Sequence, residues 1–102
     1  MVKQIVEGAK VSQGDFVIEI GPGSGALTKA LADRVGKVMA IEIDKTVIPV
    51  LQEALRDKNN VEIINEDILN MDLKKLIKNE KIKNRDFELV KIIENLLPSP
   101  RF

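Results

Sequence analysis

The five residues Gly21-Pro22-Gly23-Ser24-Gly25 constrain this chain more than any others, because of what stands on either side of them. Before them, Phe16-Val17-Ile18-Glu19-Ile20 is a short apolar run bounded by Gly14-Asp15 and by the glycines. It reads as a buried strand and is too short to hold itself as a helix. After them, Leu27, Ala30, Leu31 and Val35 share one helical face over residues 26–35, and Gly36 stands where a left-handed C-terminal cap is wanted. A glycine loop that joins strand to helix lets backbone approach a ligand closely and turns helix-start N–H groups toward polar or anionic atoms. The spacing is G-x-G-x-G, not the G-x-G-x-x-G of dinucleotide sites. The same glycines would also serve a plain tight turn.

The pattern then repeats. Val38-Met39-Ala40-Ile41 reads as a second buried strand, and Val47, Val50, Leu51 and Leu55 give a second helix its core face, with Asp44 as its cap. Pro49 predicts either an irregular first turn in that helix or a start later than Asp44. Asn59-Asn60 breaks the chain, Val61-Glu62-Ile63-Ile64 reads as a third strand, and a short helical pattern runs over residues 69–77 with Asp72 near its start. At the N-terminus Val2, Ile5, Val6 and Ala9 predict a short amphipathic helix weakened by Gly8. Strands alternating with helices at this spacing imply right-handed crossovers and an α/β fold: a partial Rossmann-like parallel sheet with helices on both faces.

Two carboxylates join the loop as candidate ligand groups. Glu42 ends the second strand 21 positions after Gly21, the separation at which a Rossmann site sets an acid on a ribose. Asp67 follows the third strand, at the carboxyl edge where open parallel sheets bind ligands, although aspartate is also common there as a cap or turn residue. With no Cys and no His, zinc-finger sites, thiol nucleophiles and Ser-His-Asp triads are excluded, and nothing identifies a metal. Sixteen basic residues balance sixteen acidic ones, so no overall positive field draws in a nucleic-acid backbone. No apolar run is long enough to span a bilayer and no signal-peptide core follows the start, which predicts a cytoplasmic protein without membrane contact.

Three segments, Glu19-Ile-Gly-Pro-Gly-Ser-Gly-Ala-Leu-Thr28, Ala40-Ile-Glu-Ile-Asp44 and Asn65-Glu-Asp-Ile-Leu69, resemble the bacterial ribosomal RNA adenine N6,N6-dimethyltransferases and their erythromycin-resistance relatives. The resemblance covers roughly residues 1–78. It implies an S-adenosylmethionine site that includes Glu19, with the loop of Gly21, Gly23 and Gly25 under the methionine part, Glu42 on the ribose and Asp67 on the adenine. It also implies ribosomal RNA as the substrate of the intact family.

The tail departs from that plan. The family's next motif is Asn-Leu-Pro-Tyr at the end of a fourth strand, whereas here the text is Asn95-Leu96-Leu97-Pro98-Ser99-Pro100 and the chain has no Tyr or Trp. Phe87, Leu89, Val90, Ile92, Ile93, Leu96 and Leu97 alternate with Glu88, Lys91, Glu94 and Asn95 at a helical period. A helix over 87–97, capped by Asp86, keeps these charges on one side, whereas a central strand would bury Lys91 and Glu94. This reading predicts three strands, with a fourth only if the stretch around Lys91 to Asn95 extends. It divides the chain into a cofactor-binding half at 1–78 and a divergent tail at 79–102 that packs on the sheet as a helix. The function expected is a dimethyltransferase fragment, inactive alone, with cofactor binding weakened or lost and no tight hold on RNA. The alternative is a refolded or engineered fragment without activity that self-associates, as a homodimer, through an exposed sheet edge or helix face. A nicotinamide enzyme is disfavoured by the loop spacing and by the want of a His or Tyr proton donor.

Overall fold

The computed structural model describes residues 10–83 and 89–94. The elements follow as β1 (Asp15–Ile20), α1 (Ala26–Ala32), β2 (Lys37–Glu42), α2 (Ile48–Ala54), β3 (Val61–Asn65), a 3-10 turn (Ile68–Asn70), α3 (Leu73–Lys83) and β4 (Leu89–Glu94). The four strands form one parallel sheet in the order β3-β2-β1-β4, with Ile18 level with Met39 and Ile92, and Ala40 level with Ile63. The strand order reverses between β1 and β4, which places the ligand crevice of such sheets beyond the carboxyl ends of the central strands.

Strand alternation sorts the core into two faces. Val17 and Val38 pack with Leu27, Leu31 and Ala32 of α1, while Leu51 and Leu55 of α2 pack beside them against Val61 and Ile63. On the opposite face Phe16, Ile18, Met39 and Ile41 meet Leu73, Leu76 and Ile77 of α3. Phe16, Val17, Ile18 and Val38 are fully buried, as inner strands covered on both faces must be. Among the described residues no helix is long and apolar enough to cross a membrane.

The tail corrects the expectation of a helix over 87–97: residues 89–94 are a strand, hydrogen-bonded to β1 from Asp15↔Leu89 to Ile20↔Glu94. The objection to a strand was the burial of Lys91 and Glu94, and the sheet's geometry removes it. Among the described residues β4 is an outer strand, so Glu94 is exposed and Lys91 only half-buried. Lys91 is moreover paired, its Nζ lying 3.0 Å from Asp15 Oδ2 and donating to the Lys10 carbonyl at 2.7 Å. The helical period was a coincidence of a strand whose two faces are both partly apolar: Val90 joins one core and Ile93 the other.

Smaller differences have local causes. Helix α1 stops at Ala32, and Gly36 is not the left-handed cap expected of it. Asn60 does that work instead, its side-chain amide donating to the carbonyls of Ala32 at 2.8 Å and Val35 at 3.1 Å. Asp44 does not cap α2; its Oδ1 accepts from Thr46 N and Thr46 Oγ1, and the helix begins at Ile48 with Pro49 in its first turn, the later start that Pro49 predicted. The helical pattern expected over 69–77 divides into the 3-10 turn and α3, which Asp72 caps by accepting from Lys75 N at 3.1 Å. The boundary drawn at residue 78 falls inside α3. The helix expected over residues 2–9, together with Phe87, Asn95, Leu96 and Leu97, lies outside the described residues.

Candidate cofactor site

The loop after β1 takes its shape from its glycines and from what they touch. Gly21, Gly23 and Gly25 all have positive φ, at 74°, 58° and 87°. At Gly25 the reason is partly packing, since a Cβ there would stand 3.3 Å from Leu51 Cδ2 of α2. At Gly21 it is different: a Cβ would meet nothing within 4 Å, so the backbone faces open space. The loop is tied down by Gly21 N donating to the Ile41 carbonyl and Gly25 N to that of Pro22, both at 3.0 Å.

Glu42 holds the loop from the neighbouring strand. Its Oε1 accepts from Gly23 N at 3.2 Å and its Oε2 from Asp44 N at 3.0 Å, and the residue is 7% exposed. A carboxylate has about four lone-pair positions, so two donors leave room for two more. Asp67 caps the 3-10 turn, Oδ1 accepting from Leu69 N at 2.9 Å. Asn65 braces the β2 end by donating to the carbonyls of Glu42 and Ile43.

These groups converge on a hollow of about 100 Å³ lined by Ile20, Gly21, Ile41, Glu42, Ile43, Glu66, Asp67 and Ile68. It lies at the carboxyl edge, and it brings together Gly21, Glu42 and Asp67 of the predicted set. Gly23 and Gly25 lie outside it, shaping the loop. Glu19 lies outside it too: it is fully buried and accepts a hydrogen bond from Thr28 Oγ1, itself fully buried. Sequence reasoning missed the apolar lining. Ile43 is 65% exposed next to Glu42, and an apolar residue left bare just past a strand end is the signal that could have found it. Thr28 was missed as well, although it stands on the buried face of α1 above the strand that carries Glu19.

The lining combines an apolar wall with carboxylate acceptors and an open backbone at Gly21, which fits a group with a flat apolar ring and several hydroxyl or amino donors. A larger cleft of about 450 Å³ opens between β3 and α3, with Ile64, Met71 and Leu76 in its wall, and Glu66 borders both. Among the described residues no three acidic, His or Cys side chains gather to hold a metal ion.

Known proteins are similar to this chain in sequence and in fold. The sequence model of the family described as ribosomal RNA adenine dimethylase matches residues 1–96. Ribosomal RNA small subunit methyltransferase A of Alkaliphilus oremlandii is 53% identical over 96 residues, and that of Alkaliphilus metalliredigens 47% over the same length. Each alignment takes in 94% of this chain and 32% of the relative, so the chain spans about a third of the length of these relatives. In three dimensions the chain is similar to the 23S rRNA methyltransferase ErmE, with a TM-score of 0.67 and 26% identity over 93% of this chain and 45% of that one. A dimethyladenosine transferase from Plasmodium falciparum gives 0.56 and 34%, over 61% of this chain and 24% of that one.

Proposed function

We propose, from the premise that this chain belongs to the ribosomal RNA adenine dimethylase family, that residues 1–78 are the S-adenosylmethionine-binding half of an rRNA adenine-N6 dimethyltransferase. The observation that carries the reading is the convergence of Gly21, Glu42 and Asp67 on one hollow at the carboxyl edge of a parallel sheet. Glu42 accepts the ribose hydroxyls with the lone pairs that Gly23 N and Asp44 N leave unused. Asp67 turns Oδ2 to the adenine amine while Oδ1 caps its own turn. Ile43 and Ile68 sandwich the ring's edge, and the open face of Gly21 admits the chain that leads to the sulfonium. Glu19 contributes from below, fixing the β1 end to α1 through Thr28. S-adenosylmethionine would supply an activated methyl group; these residues bind and orient it and keep water from its base.

The chain by itself does not transfer methyl groups in this reading, because the segment Asn95-Leu96-Leu97-Pro98-Ser99 departs from the family's adenine-holding motif in spacing and lacks its aromatic. Ribosomal RNA in the cytoplasm is the target of the intact enzyme. A second reading, a fragment without activity that pairs with a copy of itself, is favoured by Ile92, 51% exposed on the outer strand β4.

Titration of S-adenosylmethionine and S-adenosylhomocysteine into isotopically labelled protein tests the first reading. Saturable amide shifts at Gly21, Ile43 and Asp67 that vanish in Glu42→Ala and Asp67→Ala are expected. Absence of shifts at millimolar ligand refutes it. Sedimentation at rising protein concentration tests the second, which a persistent monomer refutes.

A further inference from the structure

The neutral total charge conceals a segregation along the chain. Residues 1–72 carry eight basic and twelve acidic side chains, and residues 84–102 carry three of each. All of the compensating positive charge lies in α3, which has five lysines and one glutamate in eleven residues. Lys74, Lys75 and Lys78 are exposed, and among the described residues none of them enters an ion pair. Lys81 and Lys83 continue the run in sequence. The helix is a rigid support about 16 Å long at 1.5 Å per residue. It starts beyond the carboxyl edge of β3, next to the hollow that Glu42 and Asp67 line, and as a crossover helix it runs back along the sheet.

We propose that the outer face of α3, carrying Lys74, Lys75 and Lys78, is a contact surface for an RNA phosphate backbone, which lays one end of the strand at the mouth of the cofactor hollow. A polyanion is the partner that matches a row of unpaired lysines on a fixed helix. An anionic membrane also attracts basic amphipathic helices, but it needs a free apolar face to insert. Here Leu73, Leu76 and Ile77 are already packed against Phe16, Ile18, Met39 and Ile41. The inference builds on the RNA-directed reading above, yet its test does not pass through the cofactor.

The test is fluorescence anisotropy of a labelled single-stranded oligouridylate with the whole chain, titrated at several salt concentrations. Three proteins are compared: wild type, Lys74→Gln/Lys75→Gln/Lys78→Gln, and the control Lys29→Gln/Arg34→Gln/Arg56→Gln, which removes the same charge from α1 and the turns after α1 and α2, on the opposite face of the sheet. The α3 variant is expected to bind more weakly and to lower the slope of log affinity against log salt by about 2, at roughly 0.7 per phosphate contact on a single strand. The control is expected to keep the wild-type slope. No binding by wild type at low salt, an unchanged slope in the α3 variant, or an equal loss in the control overturns the proposal. So does capture of wild type by phosphatidylserine vesicles in preference to RNA. The S-adenosylmethionine titration on the same samples reads the cofactor assignment separately, so failure of one is distinguished from failure of the other.

Discussion

Replacing Lys91 by Met probes what makes β4 a strand. Asp15 is 1% exposed and its Oδ2 accepts from Ser12 N at 2.9 Å and from Lys91 Nζ at 3.0 Å. Breaking a fully buried pair costs about 3–5 kcal/mol and a surface pair about 0–1 kcal/mol. The Lys91 side chain is 28% exposed, so Lys91→Met should cost about 2 kcal/mol, between those limits. For a domain of this size that lowers Tm by roughly 10 °C. The loss should depend on pH in a defined direction. Burial pushes the Asp15 carboxyl up, but the Ser12 N–H and the Lys91 hydrogen bond and charge together outweigh it and hold it below the usual carboxylate range. A carboxylate with a depressed folded pKa contributes stability above its unfolded value, about 3.9, and loses it as pH falls through the folded value. The difference between wild type and Lys91→Met in urea denaturation should therefore be constant above about pH 5 and shrink below about pH 4. A difference that stays the same at low pH, or one under about 0.5 kcal/mol at neutrality, would refute the argument that the Asp15 pair anchors β4.

The two loop glycines should separate by mechanism. Gly25→Ala should lose about 2 kcal/mol, from left-handed backbone strain together with crowding against Leu51, and Gly21→Ala about 1 kcal/mol from strain alone, both read by thermal melts. Gly21→Ala should still weaken S-adenosylmethionine shifts, because the methyl group occupies the space that faces the hollow. Thr28→Val removes a buried hydroxyl donor to Glu19 and should cost about 1–3 kcal/mol, with Thr28→Ser recovering most of it. Asn60→Ala leaves the carbonyls of Ala32 and Val35 without their amide partner and should cost about 1–2 kcal/mol in chemical denaturation, with hydrogen exchange rising first at the α1 end.

The inner strands β1 and β2 were legible in the sequence because burial on both faces leaves a plain signal: short, nearly continuous apolar runs set off by glycine. β3, an outer strand of the described sheet, was legible as well, because Asn59-Asn60 sets off the short run Val61-Glu62-Ile63-Ile64. β4 was not legible, for a reason of its own. Leu89-Val90-Lys91-Ile92-Ile93-Glu94 has charged residues three apart, a helical spacing, and its strand identity depends on a partner seventy-six positions earlier, Asp15, that turns Lys91 from a cost into a tie. Local pattern cannot contain a long-range ion pair. The same applies to the α1 terminus, where Gly36 offered the usual local stop but Asn60, from the turn before β3, supplied the amide.

The site divides along the same line. Loop glycines and the acid at the end of β2 are readable because their spacing is fixed by one strand-loop-helix-strand unit. Which of these groups face a ligand is not, since that depends on how far along the sheet each stands relative to the neighbouring strand and to the helix above it. Glu19 and Glu42 both stand at or near strand ends, yet Glu19 turns into the α1 face, where Thr28 meets it, and Glu42 reaches across to Gly23 at the hollow. Strand alternation puts both on one face, Glu19 in parity with Val17 and Glu42 with Val38 of the same core, and the difference is one of level: Glu19 lies beside Ala40, two residues short of Glu42, and is covered by α1. Glu42 ends its strand where the next residue, Ile43, is already bare, and a carboxylate there can hold the loop and still face outward. An acid held inside the fold by Thr28 and an acid at the hollow with lone pairs to spare are chemically different groups. That difference is why mutation of Glu19 should disturb folding before binding, and mutation of Glu42 the reverse.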